Sequence, residues 1–303
     1  PLDHPAGRRN DFLLDDFTVE RIPRLDLGQA PEAERVAVGD TAARVWICRK
    51  TGALCGIENR ATGETVTPLG ERQPLFSLAV LDRATNRTRD VDFGQAVLRD
   101  FQAAKDGRQA ALTFALKDLP VRVTCRIASA GPGRIAFSAD VENQSELAVL
   151  EVTCPIVRGA RPASDPKALT LVHPYLCGQI QRNALQSAGC DAVYPGRAVM
   201  GWLDLAGEKG GISLATHDRT RTGTRLTALP SVGDTFDLSL GKEVVIAPKS
   251  AWKGPEHILL LHAGDWHVAA DAYREWARAW LGAPDVPRWI RDADGWVLMG
   301  VQN

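Results

Sequence analysis

From about residue 36 to residue 263, apolar and polar positions alternate in short runs separated by turn residues. Period-two or β-rich segments cover Arg44–Lys50, Leu75–Asp82, Ala110–Lys117, Val121–Ala128, Ile135–Asn143 and Ala148–Pro155. Further runs follow at Ala198–Leu205, Gly211–Thr216, Arg225–Leu229, Thr235–Leu240, Glu243–Ile246 and His257–His262. Alternation of this kind places one face of a strand inside and the other outside. Thr51-Gly52, Thr62-Gly63, Asp106-Gly107, Gly131-Pro-Gly133, Gly207 to Gly211 and Gly233-Asp234 supply the turns. No amphipathic helix interrupts this stretch. Many short strands without crossover helices predict antiparallel sheets packed face to face, hence a mainly β chain built as a large double-sheet sandwich.

The period changes after Gly264-Asp265. Trp266, Ala269, Ala270, Tyr273, Trp276, Ala277 and Trp280 recur at three- and four-residue spacing and predict one amphipathic helix. Asp265 is placed to cap its start and Gly282 to end it. Pro284 and Pro287 bracket a short linker, followed by Arg288–Asp292 and the apolar run Trp296–Val301. Six of the eight tryptophans lie beyond residue 250, which suggests a junction with a second body; the alternative is a helix packed on its own sandwich. The expected division is a sandwich over 1–263, a linker helix and linker over 264–287, and the start of another domain over 288–303. An apolar run that ends at Gly295–Asn303 without a cap or turn reads as part of a longer chain.

Composition narrows the function classes. The 303 residues are 45% hydrophobic and 24% charged, with a formal net charge of −1. That balance excludes a disordered chain and gives no basic field for nucleic acid. No run approaches the roughly 18–20 apolar residues of a membrane span. The chain opens on Pro1 without a charged and then apolar leader, and localisation stays open, a secreted or periplasmic site included. Cys48, Cys55, Cys125, Cys154, Cys177 and Cys190 show neither a C-x-x-C pair nor zinc-site spacing. Most read as small buried hydrophobes, with a Cys177–Cys190 bridge as the one open pairing. No metal and no cofactor are expected, because phosphate-cradling loops, nucleophile elbows and H-E-x-x-H are absent from the sequence. Asn86-Arg-Thr88 and Asn143-Gln-Ser145 match the glycosylation sequon.

Three segments carry a family resemblance. Lys50-Thr-Gly-Ala-Leu-Cys-Gly-Ile-Glu-Asn-Arg-Ala-Thr-Gly63 resembles the opening hairpin of galactose-mutarotase-like sandwich domains that precede glycoside hydrolase barrels. Tyr194–Leu205 with Gly210–Asp218 resembles a later motif of such proteins, and Gly264–Trp276 the helix leading into their barrel. The resemblance implies a bacterial-type glycoside hydrolase acting on oligo- or polysaccharide, with this chain as its sandwich portion. Gly295–Asn303 would then be the first barrel strand, with Gln302 and Asn303 at the rim of the active site. The two carboxylates that glycoside hydrolysis requires are expected beyond Asn303, so the chain alone is expected to be inactive.

The sandwich offers its own candidates for carbohydrate contact. His173, Tyr175, Gln179 and Gln181 combine an aromatic ring with amides, a mixture that covers a pyranose C–H face and takes its hydroxyls. Tyr194 belongs to the same surface, whereas Trp202 in an alternating run reads as core. His217 and Asp218 close a strand where polar groups can meet a sugar, although an Asp at such a place also satisfies its own turn. Arg219, Arg221 and Arg225 form a small basic cluster that can meet an acidic sugar or be a solvated loop. Two other readings remain. A free-standing aldose epimerase would use His173 or His217 as acid and Glu208 or Glu243 as base. A non-catalytic carbohydrate-binding domain would use the same surface without chemistry.

Overall fold

The computed structural model describes residues 25–282 and 286–292. The expected barrel strand at Trp296–Val301, together with Pro284, Gln302 and Asn303, lies outside them. Twenty strands run through the described residues. The chain opens with β1 (Arg35–Gly39), β2 (Ala43–Cys48), β3 (Leu54–Asn59), β4 (Glu64–Thr67), β5 (Ser77–Asp82), β6 (Arg87–Val91) and β7 (Ala96–Ala103). It continues with β8 (Gln109–Leu116), β9 (Val121–Ser129), β10 (Arg134–Asn143), β11 (Ala148–Ala160), β12 (Thr170–His173), β13 (Gln179–Arg182) and β14 (Cys190–Tyr194). The last strands are β15 (Trp202–Ala206), β16 (Gly210–Thr216), β17 (Thr224–Ser231), β18 (Thr235–Ile246), β19 (Ser250–Trp252) and β20 (His257–Ala263). Two helices follow, α1 (His267–Leu281) and the single turn α2 (Arg288–Arg291).

The strands form three antiparallel sheets. A ten-stranded sheet runs β13-β12-β15-β16-β20-β10-β9-β8-β7, with β19 beside β10. A six-stranded sheet runs β14-β17-β18-β11-β5-β6, and β1 to β4 make a four-stranded meander. The alternation seen in the sequence is the cause: in β9, Val121, Val123, Cys125 and Ile127 are buried while Arg122 and Arg126 face out. Opposite them, Val141, Ala139 and Phe137 of β10 complete the inner face. Phe76, Phe93 and Phe114 pack edge to face in the core with centroids 5.2–5.4 Å apart. Gly52 (φ +72°) turns directly against Phe114, where a Cβ would sit 2.5 Å from Cζ; only glycine fits.

The structure moves several expected boundaries. Ala198–Leu205 is not one strand: β15 begins at Trp202, and the residues before it form a loop in which Val199 N–H donates to Pro174 O. Thr235–Leu240 and Glu243–Ile246 are instead one continuous strand, β18, because Gly241 packs against Glu151 without turning the chain. β6 is exposed at four of its five positions on a sheet edge, so no apolar alternation announces it. The sequon Asn143 is fully buried, its amide donating to the carbonyls of Leu147, Ile246 and Ala247, whereas Asn86 lies in an exposed turn.

The helix forms where the spacing predicts it. Asp265 caps it: its carboxylate accepts from His267 N–H at 3.1 Å, and its carbonyl accepts from Val268 N–H. Gly282 ends it at φ +62°. Ala269 and Tyr273 are buried against Val172, Trp202, Ala215 and Leu260 on the outer face of the ten-stranded sheet. Trp266, Trp276 and Trp280 are left half-buried beside that contact. All six cysteines are free thiols, and Cys190 is buried while Cys177 is exposed.

Candidate functional site

Helix α1 and the loop before β15 enclose a groove of about 470 Å³. Tyr194, Trp202, Trp266, Tyr273, Trp276 and Trp280 wall it, with Val199 and Met200 on the loop side and Arg274 and Arg278 on the helix side. Its floor is fixed by one close approach. The Tyr273 hydroxyl accepts from Gly201 N–H at 3.1 Å. A Cβ on Gly201 would lie 2.5 Å from Thr216 Cγ2 and 2.9 Å from Tyr194 Cδ1, so glycine lets the loop, β16 and the helix meet. Burial raises the Tyr273 phenol well above its ordinary value and keeps it neutral.

The loop after β16 forms the neighbouring edge. His217 stacks on Trp276 with ring centroids 4.4 Å apart and planes 9° apart. Burial, then Arg134 and His257, push its pKa down to about 4, so the ring is neutral at pH 7. Below it a smaller cavity of about 210 Å³ lies between α1 and the sheet, lined in part by Arg134, Ser213 and His217.

Asp218 points inward. Its Oδ1 accepts from Thr220 N–H at 2.8 Å and from Thr220 Oγ1 at 2.7 Å, and its Oδ2 from Thr222 N–H at 3.1 Å and Lys242 Nζ at 2.8 Å. Burial works against the carboxylate charge, but the Lys242 and Thr220 donors hold its pKa below the ordinary carboxylate value. Lys242 is 1% exposed, and its three ammonium donors meet Asp218, Thr222 O and Thr224 Oγ1. A buried charge with every donor used is the form that a sandwich interior tolerates.

His173, Tyr175, Gln179 and Gln181 come together at the β12–β13 edge. Gln181 Nε2, with two hydrogens, lies within hydrogen-bond distance of three acceptors, His173 Nε2 at 3.1 Å, Gly189 O at 3.2 Å and Gln179 Oε1 at 3.3 Å, while its Oε1 accepts from Ser187 Oγ. The second ring nitrogen of His173, Nδ1, faces the interior. That Nδ1 is buried without a partner, and burial lowers the His173 pKa. Tyr175 meets His173 edge-on at 6.2 Å.

The candidates therefore separate into the His173–Gln181 edge, the Tyr194 and His217 borders of α1, and the interior Asp218. Gln302 and Asn303 lie outside the described residues. The residues that sequence reasoning did not nominate are the groove's own: Val199, Met200, Trp276, Trp280, Arg274 and Arg278. Tryptophans at helical spacing were the available signal. Among the described residues no group of three or more His, Cys, Asp or Glu could hold a metal ion, and no helix is long and apolar enough to cross a membrane.

No family model matches the sequence, and no curated protein matches it. Solved structures do match the fold. An α-galactosidase from Lactobacillus brevis superposes with a TM-score of 0.54 at 10% identity, over 83% of this chain and 42% of that one. A GH36 α-galactosidase from Geobacillus stearothermophilus in complex with raffinose gives 0.52 at 10% identity, over 80% and 43%. A galactose mutarotase-like protein from Lactobacillus casei gives 0.50 at 11% identity, over 75% of this chain and 100% of that one. The chain thus spans less than half the length of the two α-galactosidases and has the galactose-mutarotase-like β-sandwich fold.

Proposed function

We propose that the chain is the sandwich portion of a glycoside hydrolase acting on oligo- or polysaccharide, and that the α1 groove holds sugar units of the substrate. The observation that carries this reading is the groove itself. Its aromatic walls offer flat apolar faces for pyranose C–H surfaces, and guanidinium donors sit at the rim for hydroxyl oxygens. The catalytic carboxylates are assigned to a barrel beyond Asn303, with residues 264–287 as the linker and 288–303 as the barrel's opening. The length relation to the α-galactosidases supports that division.

The epimerase reading has less support. It needs a histidine and a carboxylate on opposite sides of one sugar ring. His173 meets Gln181 and Tyr175, and His217 stacks on Trp276. Glu208 instead accepts from Ser164 and Asp165, and Glu243 pairs with Arg225 at 3.2 Å.

The test is calorimetric titration of the purified chain with galacto-oligosaccharides, alongside aryl-galactoside hydrolysis and polarimetric mutarotation. Saturable binding without turnover is expected. Mutarotation that disappears in His173→Ala would replace this reading by the epimerase, and robust hydrolysis by the chain alone would remove the missing barrel.

A further inference from the structure

We infer that the α1 groove takes a glycoside with an aliphatic tail, the alkyl or acyl chain lying along the slot and the sugar head at its charged lip. The inference rests on the carbohydrate reading above and names its substrate class.

The slot is long and apolar. Its lining follows α1 from Trp266 to Gly282, roughly 24 Å at the α-helical rise. Its volume of about 470 Å³ lies within the range of small-molecule sites. Val199, Met200 and Leu281 are 52%, 42% and 50% exposed there, beside the half-buried rings of Trp266, Trp276 and Trp280. Single apolar side chains on a surface are ordinary, whereas a contiguous set of them in a concavity marks a binding site.

Charged groups are confined to one lip. Asp271, Arg274 and Arg278 are exposed on α1, and Asp271 pairs with Arg274 at 3.0 Å. Among the described residues, the lining holds no serine, threonine, asparagine, glutamine, histidine, glutamate or lysine. The Tyr273 hydroxyl is already met by Gly201 N–H, and the Trp280 indole N–H is buried. Sugar hydroxyls drawn into the depth would leave water without finding replacement partners, which is costly. Methylenes lose nothing there and gain by leaving water. The amides suited to gripping hydroxyls, Gln179 and Gln181, stand at the β12–β13 edge instead.

The complement of this slot is an amphiphile. Its polyhydroxyl head meets the Asp271, Arg274 and Arg278 lip, and its tail covers the aromatic walls. The length of the slot favours a chain over a single aromatic aglycone, and the flexible thioether of Met200 adapts to one. The loop wall is also preformed, because Val199 N–H donates to Pro174 O at 2.9 Å and Gly201 N–H to Tyr273 at 3.1 Å. Binding then orders little of the protein.

The experiment titrates the full 303-residue chain with methyl, butyl and octyl galactoside below the micelle concentration, and with galactotriose and octanol. Affinity is expected to rise about fourfold for each methylene that enters the slot, leaving octyl galactoside about a hundredfold tighter than methyl. Met200→Asn puts an amide on the wall and Ala277→Phe fills the slot. Each should cut the octyl-to-methyl ratio about tenfold, with melting temperature reporting that the variant is folded. Val245→Asn removes a 69% exposed apolar side chain from the six-stranded sheet and should leave the ratio alone. Equal affinity for methyl and octyl galactoside would overturn the inference and leave the carbohydrate reading standing. A ratio untouched by Met200→Asn and Ala277→Phe would put the chain elsewhere and overturn the site. Self-association in light scattering that Met200→Asn abolishes would give the slot to a second copy of this chain instead. Octanol binding as tight as octyl galactoside, or no binding of any probe, would overturn both readings.

Discussion

Lys242 and Asp218 form an ion pair of 2.8 Å with side chains only 2% and 6% exposed, and this pair ties β18 to the loop that borders α1. Removing one partner leaves an unpaired charge in the interior, which costs about 3–5 kcal/mol. Lys242→Met is therefore expected to lose about that much in urea unfolding, and the double variant Lys242→Met, Asp218→Asn to recover part of it. A loss below about 1 kcal/mol for the single variant would mean that water reaches the pair.

Two buried histidines set an acid sensitivity. Burial pushes both His217 and His257 down to about 4, and the His257 ring is held by Cys154 O. Unfolded, each titrates near 6.5, so between those values the unfolded chain binds more protons. Their contribution is complete above about pH 6.5 and is lost as pH falls toward 4, by about 3 kcal/mol for the fully buried ring. His262 acts the other way. Burial disfavours its charge, but Asp204 at 2.9 Å raises its pKa overall, so its contribution is present at acid pH and fades as pH rises through the folded value. Urea midpoints across pH 4–7 should rise with pH, and His257→Asn should flatten that rise. An unchanged slope would place the ring in contact with water.

The sandwich was legible because its inner faces alternate cleanly, as in β9, and α1 because its aromatic residues keep one helical face. β12, β13 and β14 escaped notice for a physical reason: β12 is buried at three successive positions, β13 is almost wholly exposed, and β14 alternates over only three residues, so none shows a sustained period of two. The loop at 198–201 read as strand because Ala198, Val199 and Met200 are apolar, yet Val199 and Met200 are spent on the groove wall. The groove was half visible. Its tryptophans stood out, but Arg274 and Arg278 look like any solvated helix face until Val199 and Met200 close the groove opposite them. Contacts between distant segments leave no local pattern.

Gly201 is the steric keystone of the groove. Its missing Cβ admits both Thr216 and Tyr194, and its N–H holds the Tyr273 hydroxyl. Gly201→Ala forces the loop or Tyr194 outward, with an expected overpacking cost of about 1–3 kcal/mol. Melting temperature and oligosaccharide affinity should fall together. A variant that keeps both would show that the loop has room to relax.

Thiol chemistry tests the packing independently of any ligand. Cys177 is exposed, whereas Cys48, Cys55, Cys125, Cys154 and Cys190 are buried. Burial pushes Cys55 and Cys190 up to about 12 and raises Cys125 as well, so the nucleophilic thiolate is suppressed at these sites. An aromatic disulfide reagent at pH 8 is expected to release one equivalent of thiolate quickly from the native chain and six in guanidinium chloride. Cys177→Ser should abolish the fast phase. Two fast equivalents in the native state would mean that a core strand opens on the experimental timescale, with Cys190 on the edge strand β14 the first suspect. Fewer than six in denaturant would reveal a disulfide, and the Cys177–Cys190 pairing would return as its explanation.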